Sequence, residues 1–369
     1  MKIIRAYKVR LYPNKEQEAE MLKILAGCRF VWNHFLEIRK NDYLENKKTI
    51  PYLKLAKRLT ILRKTTPELS ELQYVPLAQQ LRKLDTAYNR FFRKLANLPK
   101  FKTEFDQKQS FEKSHDWKII GNKIMIQKNL ILKTRGELPQ NGKTIVISYV
   151  ARSKWFASIT VHEDIKLPKK NTKAIGIDLG ITSLATISDG RKFEVRKHNL
   201  QFQLAKLQRK SAKQTIGSGR RNQTLIKISR LYNKIANIRK DNLHKVTDSI
   251  LKKNPKLVVV EDLGIKNMMK NHNLARSIAN ASWGEFSRQI HYKTKWRGGE
   301  VKEINRFYPS SKTCSKCFYV VDSLPLSVRE WDCPQCKTTH DRDINASKVI
   351  LQIGQGMPNV ESSRELIEA

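Results

Sequence analysis

AIGIDLGITSLATIS, residues 174 to 188, is the stretch on which the fold turns. It reads as an apolar strand, a Gly turn and a second strand, and it places an acid, Asp178, inside the first of them. A charge in such a strand costs several kcal/mol unless it is paired or bound to a cation. Downstream, KLVVVE, residues 256 to 261, is a strand of buried type that leaves Glu261 at its C-terminal end in the same position. Farther on, DRDINASKVILQI, residues 341 to 353, reads as a helix beginning near Asn345 and Ala346, with Asp343 at its start.

Two acids at the ends of apolar strands and a third on a helix form the kind of set that holds two divalent metals on one phosphodiester. Taken singly, each acid is better explained as a helix cap or a salt-bridge partner. Separations of 83 and 82 residues do not by themselves bring the three together. Asp262 follows Glu261 and in a strand points to the opposite face. Asp341 supports Asp343 or places His340, and Asp189 reads as a turn residue before Gly190.

Outward from these strands, KFEVR, residues 192 to 196, reads as a third strand. Residues 201 to 245 follow as a long helical hairpin with GSGRR, residues 217 to 221, as its turn. The hairpin carries twelve Lys and Arg against one Asp. One-signed charge repels itself on a free surface, which favours a phosphate-tracking face. Arg220 and Arg221 are the candidate contacts there. Helical sequence runs from the KLVVVE strand to Trp296, and GEVKEINRF, residues 299 to 307, is a further strand.

Four of the five cysteines lie in two C-x-x-C pairs, Cys314 with Cys317 and Cys333 with Cys336, fifteen residues apart. That spacing predicts a four-thiolate zinc ribbon, whose closed tetrahedral shell makes the metal structural. His340 follows four residues after Cys336, when the shell is already full. Cys28 sits alone in the apolar stretch 24 to 35 and reads as a small buried hydrophobe.

The N-terminal half has a different texture. Residues 2 to 12 alternate as one strand ending at Pro13, and Asn14 then caps a helix with Glu16, Glu18 and Glu20 at its positive end. Helical periodicity continues through residues 28 to 44, 52 to 62 and 77 to 95. Leu77, Leu81, Leu84, Tyr88, Phe91, Phe92 and Leu95 form its last apolar stripe. From residue 117 come short β-rich pieces, WKII, KIMI, NLIL, TIVISYV and WFASITV, which with the first strand close a small antiparallel barrel carrying the helical bundle as an insertion. The polar segment IKLPKKNTK, residues 165 to 173, marks a boundary, and after Gly354 the tail is polar and poorly ordered. NGKT, residues 141 to 144, is a hairpin turn, because Gly136 leaves five intervening residues where a phosphate loop needs four.

With 72 Lys and Arg against 34 Asp and Glu, the chain has a formal net charge of +38. Nucleic acid is therefore the leading partner. A basic membrane-surface protein would concentrate its charge on one amphipathic helix beside a lipid anchor, and neither feature is found. The N-terminus lacks the apolar core of a signal peptide and no segment approaches a membrane span, so a cytoplasmic, nucleoid-associated protein of a prokaryote is expected.

Several ordered motifs now stand together: the segment Arg5 to Pro13, CRFVWN at 28 to 33, GIDLGITSLAT at 176 to 186, VVVEDLGIKNM at 258 to 268, SSKTCSKC at 310 to 317 and DRDINAS at 341 to 347. With them the chain resembles, over nearly its whole length, the TnpB family of insertion-sequence proteins related to compact type V CRISPR effectors. The resemblance implies an α/β multidomain protein with a RuvC-like, RNase H-like nuclease domain at residues 169–308 and 340–354 and an inserted zinc ribbon at 309–339. It implies a wedge-like β-barrel at 1–13 and 98–168, a helical recognition bundle at 14–97, and a tail at 355–369. It also implies an endonuclease carrying a guide RNA derived from the transposon end, reading a short motif beside a double-stranded DNA target, with base pairing reading most of the sequence. Asp178, Glu261 and Asp343 match the catalytic positions, which hold two Mg2+ ions, while Cys314, Cys317, Cys333 and Cys336 hold one Zn2+.

For the flanking motif, Tyr74, Gln79, Gln80 and Lys83 are candidates, and Arg90, Phe91, Phe92, Arg93 and Phe101 interleave bases with aromatics as stacking surfaces do. The rival readings are a self-sufficient transposase or transposition accessory protein and a nuclease-inactive RNA-guided repressor. A transposase of the relaxase type would show a His-apolar-His pair with a nearby tyrosine, and none of the eight histidines forms one. A repressor would have lost one of the acids, and all three are present.

Overall fold

A computed structural model describes residues 1–47, 49–106, 108–150, 154–168, 173–194, 199–325 and 327–356. Residues 169–172 of the boundary segment, 195–196 of the KFEVR strand and most of the tail, 357–369, lie outside the described residues. No helix among the described residues is long and apolar enough to cross a membrane. The chain divides into two compact units, one of residues 2–164 with 214–230, the other of residue 1 with 165–213 and 231 onward.

In the first unit, strand β1 (Lys2–Tyr12) leads into helix α1 (Lys15–Asn46). The helix starts where it does because Asn14 and Gln17 cap each other. The Asn14 side chain accepts from the Gln17 backbone N–H at 2.7 Å, and the Gln17 side chain accepts from the Asn14 N–H at 3.0 Å. One face of α1 buries Met21, Ile24, Leu25, Cys28, Val31, Phe35 and Leu36 at spacings of three and four. Helices α2 (Tyr52–Thr65), α3 (Pro67–Ser70) and α4 (Tyr74–Phe92) follow. Leu77, Leu81, Leu84 and Tyr88 of α4 are buried, but the helix ends at Phe92, so Phe92 and Leu95 stand exposed at the end of the expected stripe.

Strands β2 (Lys108–Lys113), β3 (Lys118–Ile120), β4 (Lys123–Gln127), β5 (Leu130–Arg135), β6 (Gly142–Val150) and β7 (Lys154–Asp164) join β1 in one antiparallel sheet ordered β2-β6-β7-β1-β5-β4-β3. The ladder ends at β2 and β3, so these strands form a half-barrel and not the closed barrel that the sequence predicts. A side chain spans the seam instead. The buried Lys113 ammonium, at the end of β2, donates to the backbone carbonyls of Asp116 and of Ile126 on β4, and to the Gln73 side chain.

The second unit begins with β8 (Ala174–Asp178), β9 (Ser183–Ile187) and β10 (Lys192–Glu194). Helices α5 (Leu200–Ala212) and α6 (Gly219–Ile250), of which only residues 231–250 belong to this unit, lead to β11 (Leu257–Glu261), and α7 (Ile265–Met268), α8 (His272–Ala281) and α9 (Trp283–Trp296) lead to β12 (Glu300–Ile304). The hairpin β13 (Glu330–Asp332) and β14 (Thr339–Asp341) precedes the last helix, α10 (Arg342–Gly354). The sheet order is β10-β9-β8-β11-β12, antiparallel as far as β8 and parallel from β8 through β11 to β12. Parallel neighbours require long crossovers, and the two helical segments supply them.

Both faces of this sheet are covered. Ile177, Leu184, Ile187, Val258 and Val260 pack with Leu243, Ile250, Phe286 and Ile290 on one side, while Val259 and Ile304 pack with Ile350 of α10 on the other. Two glycines set how near α10 comes. A Cβ on Gly176 would lie 2.1 Å from the Ser347 carbonyl oxygen, and one on Gly354 would lie 2.4 Å from Val259. Gly176→Ala is therefore expected to destabilise the protein by about 3 kcal/mol, because backbone cannot yield as a side chain can. Gly219→Ala, whose Cβ meets nothing within 4 Å, is expected to shift stability by less than about 1 kcal/mol. Urea denaturation of both variants measures the contrast.

Candidate active site

Strands β8 and β11 run parallel, with Ile177 opposite Val260. Asp178 and Glu261 are the next residues along each strand, so they emerge together at the C-terminal ends of neighbours about 5 Å apart. Asp343 joins them from α10. That helix begins at Arg342, earlier than the sequence predicts, because Asp341 is its N-cap and accepts from the Ile344 N–H at 2.9 Å. Asp343 thus lies in the first helical turn over β8.

The electrostatics register this convergence. Burial pushes the Asp178 carboxyl up to about 8, with repulsion from Glu261 and Asp343 adding to it, against smaller opposing effects of Arg342 and the Leu179 backbone. Burial also raises Glu261, opposed by the Ser310 hydroxyl, which donates to its Oε1. Arg329 approaches Asp343 at 3.6 Å. The other acids have partners elsewhere: Asp262 pairs with Arg306, Asp341 with Lys192 at 2.7 Å, and Asp189 with Arg191 at 2.9 Å. Carboxyl groups crowded at one edge, two of which are held back from ionising by their surroundings, suit divalent cations with oxygen ligands.

The four cysteines offer sulfur atoms that all lie within 4.8 Å of one another. Cys314 and Cys336 are 3.6 Å apart and Cys317 and Cys333 3.5 Å, close to the ~3.8 Å edge of a tetrahedron with Zn–S bonds near 2.3 Å. The two knuckles share one geometry. In each the residue after the second cysteine, Phe318 or Lys337, has a left-handed backbone and donates its N–H to the carbonyl of the first cysteine. This donor set fits zinc. His340 stands behind it, with Nε2 3.1 Å from the Cys314 sulfur, as an outer hydrogen-bond partner of a thiolate.

The candidate nucleic-acid contacts fare differently. Tyr74 is exposed at the start of α4, Gln79 reaches Ser114 at 3.5 Å, and Lys83 pairs with Glu112 at 2.9 Å. Gln80 is only 2% exposed and lines a small cavity with Cys28 and Lys102. Its place one residue beyond Gln79 turns it about 100° toward the core, so it is not a surface contact. Phe92 packs with Tyr43, Tyr88 and Phe91, while Phe101 is exposed. Arg220 and Arg221 open α6 and are not in the turn before it. Ser310, Arg329 and Asn345 were not singled out in the sequence. Ser310, in the SSKTCSKC motif, offered a signal; Arg329, in the loop between the cysteine pairs, offered none.

Asp178 keeps its proton in the folded chain to about pH 8, whereas the unfolded chain releases it near 3.8. Between these limits the folded state binds more protons, so stability falls as pH rises. With no divalent cation added, Asp178→Asn is expected to remove a loss on the order of 3 kcal/mol between about pH 5 and pH 8, read by urea denaturation at the two pH values. Cation binding displaces the same proton, so Mn2+ affinity, measured by calorimetry, is expected to rise across that window.

Known proteins resemble this chain in sequence and fold. The family model described as "Cas12f1-like, TNB domain" matches residues 283–350, one described as "Probable transposase" matches 158–272, and one described as "Helix-turn-helix domain" matches 1–48, where the structure has one strand and one unbroken helix. A Streptomyces pristinaespiralis protein named "Putative RNA-guided DNA endonuclease" is 36% identical, over 95% of this chain and 89% of its own. The Escherichia coli K12 protein named "Putative RNA-guided DNA endonuclease InsQ" is 32% identical over 100% of both chains. Among solved structures, a Cas12f1 chain in a complex with sgRNA and target DNA aligns over 95% of this chain and 98% of its own, with a TM-score of 0.57 at 14% identity, a likeness of fold. With relatives this similar over nearly their full lengths, the chain belongs to the TnpB family.

Proposed function

We propose that this protein is an RNA-guided DNA endonuclease of transposon origin that cuts both strands of its target at one RuvC-like centre formed by Asp178, Glu261 and Asp343. The observation that carries the reading is the convergence of three carboxyl groups, Asp178 and Glu261 from the ends of two adjacent parallel strands and Asp343 from α10, where burial, with repulsion from the other two acids adding to it, pushes the Asp178 carboxyl up to about 8. A nuclease-inactive binding protein has no use for that electrostatic cost. The sheet order β10-β9-β8-β11-β12, with α10 across β8, supports an RNase H-like core.

Asp178, Glu261 and Asp343 are the residues that would hold two Mg2+ ions. When bound, the ions activate a water for in-line attack and neutralise charge on the leaving oxygen. Asp178 and Glu261 present their carboxyl groups from neighbouring strand ends, and Asp178 would give up its proton to hold a cation. Ser310 holds one oxygen of Glu261 and leaves the other open. The four cysteines hold zinc away from the reaction. The half-barrel and helical bundle would serve as the wedge and recognition lobes, and the basic α5 and α6 as a track for phosphates. A net charge of +38 suits a chain that carries RNA derived from the transposon end and binds duplex DNA.

The protein purified with its co-expressed RNA is expected to cut a plasmid bearing the guide-matched target when Mg2+ is present. Asp178→Ala should lower the rate at least about 1,000-fold, as loss of a metal-holding carboxylate removes the stabilisation of the reacting oxygens. Cleavage that survives the substitution would remove the centre from the mechanism. Guided cutting that persists after RNase treatment before target addition would remove the guide.

A further inference from the structure

Resting on the nuclease reading above, we propose that Ser310 and Asn345 are positioning residues, and that the first cysteine knuckle is a strut setting the spacing between Glu261 and Asp343. Ser310 is 49 residues from Glu261 in sequence and donates its hydroxyl to that carboxylate from the turn that opens the knuckle. The turn is tight: Lys312 and Thr313 both donate backbone N–H groups to the Pro309 carbonyl, at 2.9 and 3.1 Å, and the Thr313 hydroxyl does the same at 2.9 Å. Ser310 is therefore held rigidly to Cys314, four residues on.

Asn345 makes the connection at the other end. Its Oδ1 accepts from the Ser315 N–H at 2.9 Å and its Nδ2 donates to the Thr313 carbonyl at 2.7 Å, so one side chain grips the backbone on both sides of Cys314. Gln352, seven residues along the same face of α10, adds a bond from Nε2 to the Ser315 carbonyl at 2.9 Å. Asn345 is 1% exposed, so water cannot replace its partners if it is lost. A carboxamide both donates and accepts, whereas an ionised carboxylate in its place only accepts. Asp343 lies two residues earlier on the same helix, about 200° around the axis, with Asn345 turned to the knuckle. The path Glu261, Ser310, Thr313, Asn345, α10, Asp343 thus links two of the three carboxylates through the zinc-binding segment.

Partners that orient metal ligands change metal affinity about 10- to 100-fold when removed. The test uses the full chain with its guide RNA and compares Ser310→Ala, Ser310→Thr and Asn345→Asp with the parent. Zinc content is read by mass spectrometry, Mn2+ binding by electron paramagnetic resonance, and target cutting as a function of Mg2+. Ser310→Ala and Asn345→Asp are expected to keep one zinc per chain yet weaken Mn2+ binding and raise half-saturating Mg2+ at least about tenfold. Excess Mg2+ should recover much of the rate, and Ser310→Thr, which keeps the hydroxyl, should behave as the parent. Unchanged Mn2+ affinity in Ser310→Ala, a residue that holds no zinc, would overturn the proposal whatever Asn345→Asp does to folding. A parent protein that binds Mn2+ but cuts no guided target would contradict the nuclease reading, while the Mn2+ comparison would still decide this one.

Discussion

The close seating of helix α10 on strand β8 is the contact on which the rest of the molecule depends. It carries Asp343 into the space of Asp178 and Glu261, and it is possible only because residue 176 has no side chain. The arrangement is costly. A carboxyl moved from 3.8 to about 8 represents on the order of 5 kcal/mol of disfavoured charge. Burial of Val349 and Ile350 on the same helix, both fully enclosed, returns about 2 kcal/mol each. Apolar packing of α10 is thus of the same order as the cost of ionising the acid buried beneath it.

The cysteine cluster gains a role from its neighbours. It offers no open coordination position, yet its first knuckle contacts Glu261 through Ser310 and α10 through Asn345 and Gln352. In the proposed account, a metal closing the knuckle would also fix the geometry of carboxylates outside its own shell. The left-handed Phe318 and Lys337 show that both knuckles are shaped by the same backbone requirement.

Much of this was legible in the chain itself. The Asn14 cap, the apolar strands ending at Asp178 and Glu261, and the cysteine spacing rest on local rules, and local rules suffice for them. What could not be read involves long-range geometry. Whether the N-terminal sheet closes depends on the edges β2 and β3, and where a ladder is expected a lysine side chain at the end of β2 instead reaches the β2–β3 loop and β4. The early start of α10 depends on Asp341 as a cap when it also reads as a supporter of Asp343. Gln80 looked like surface beside Gln79, but a single residue rotates a side chain inward. Ser310 and Asn345 act across 49 and 32 residues, beyond any periodicity.

The central claim is that the three carboxylates are a metal centre held ready by the fold. Anomalous X-ray diffraction from crystals soaked in Mn2+ tests it most directly. The account predicts two manganese peaks about 3.5–4 Å apart, bounded by Asp178, Glu261 and Asp343, with zinc alone in the cysteine cluster. Manganese bound elsewhere, with Asp343 left paired to Arg329 and Glu261 to Ser310, would contradict it.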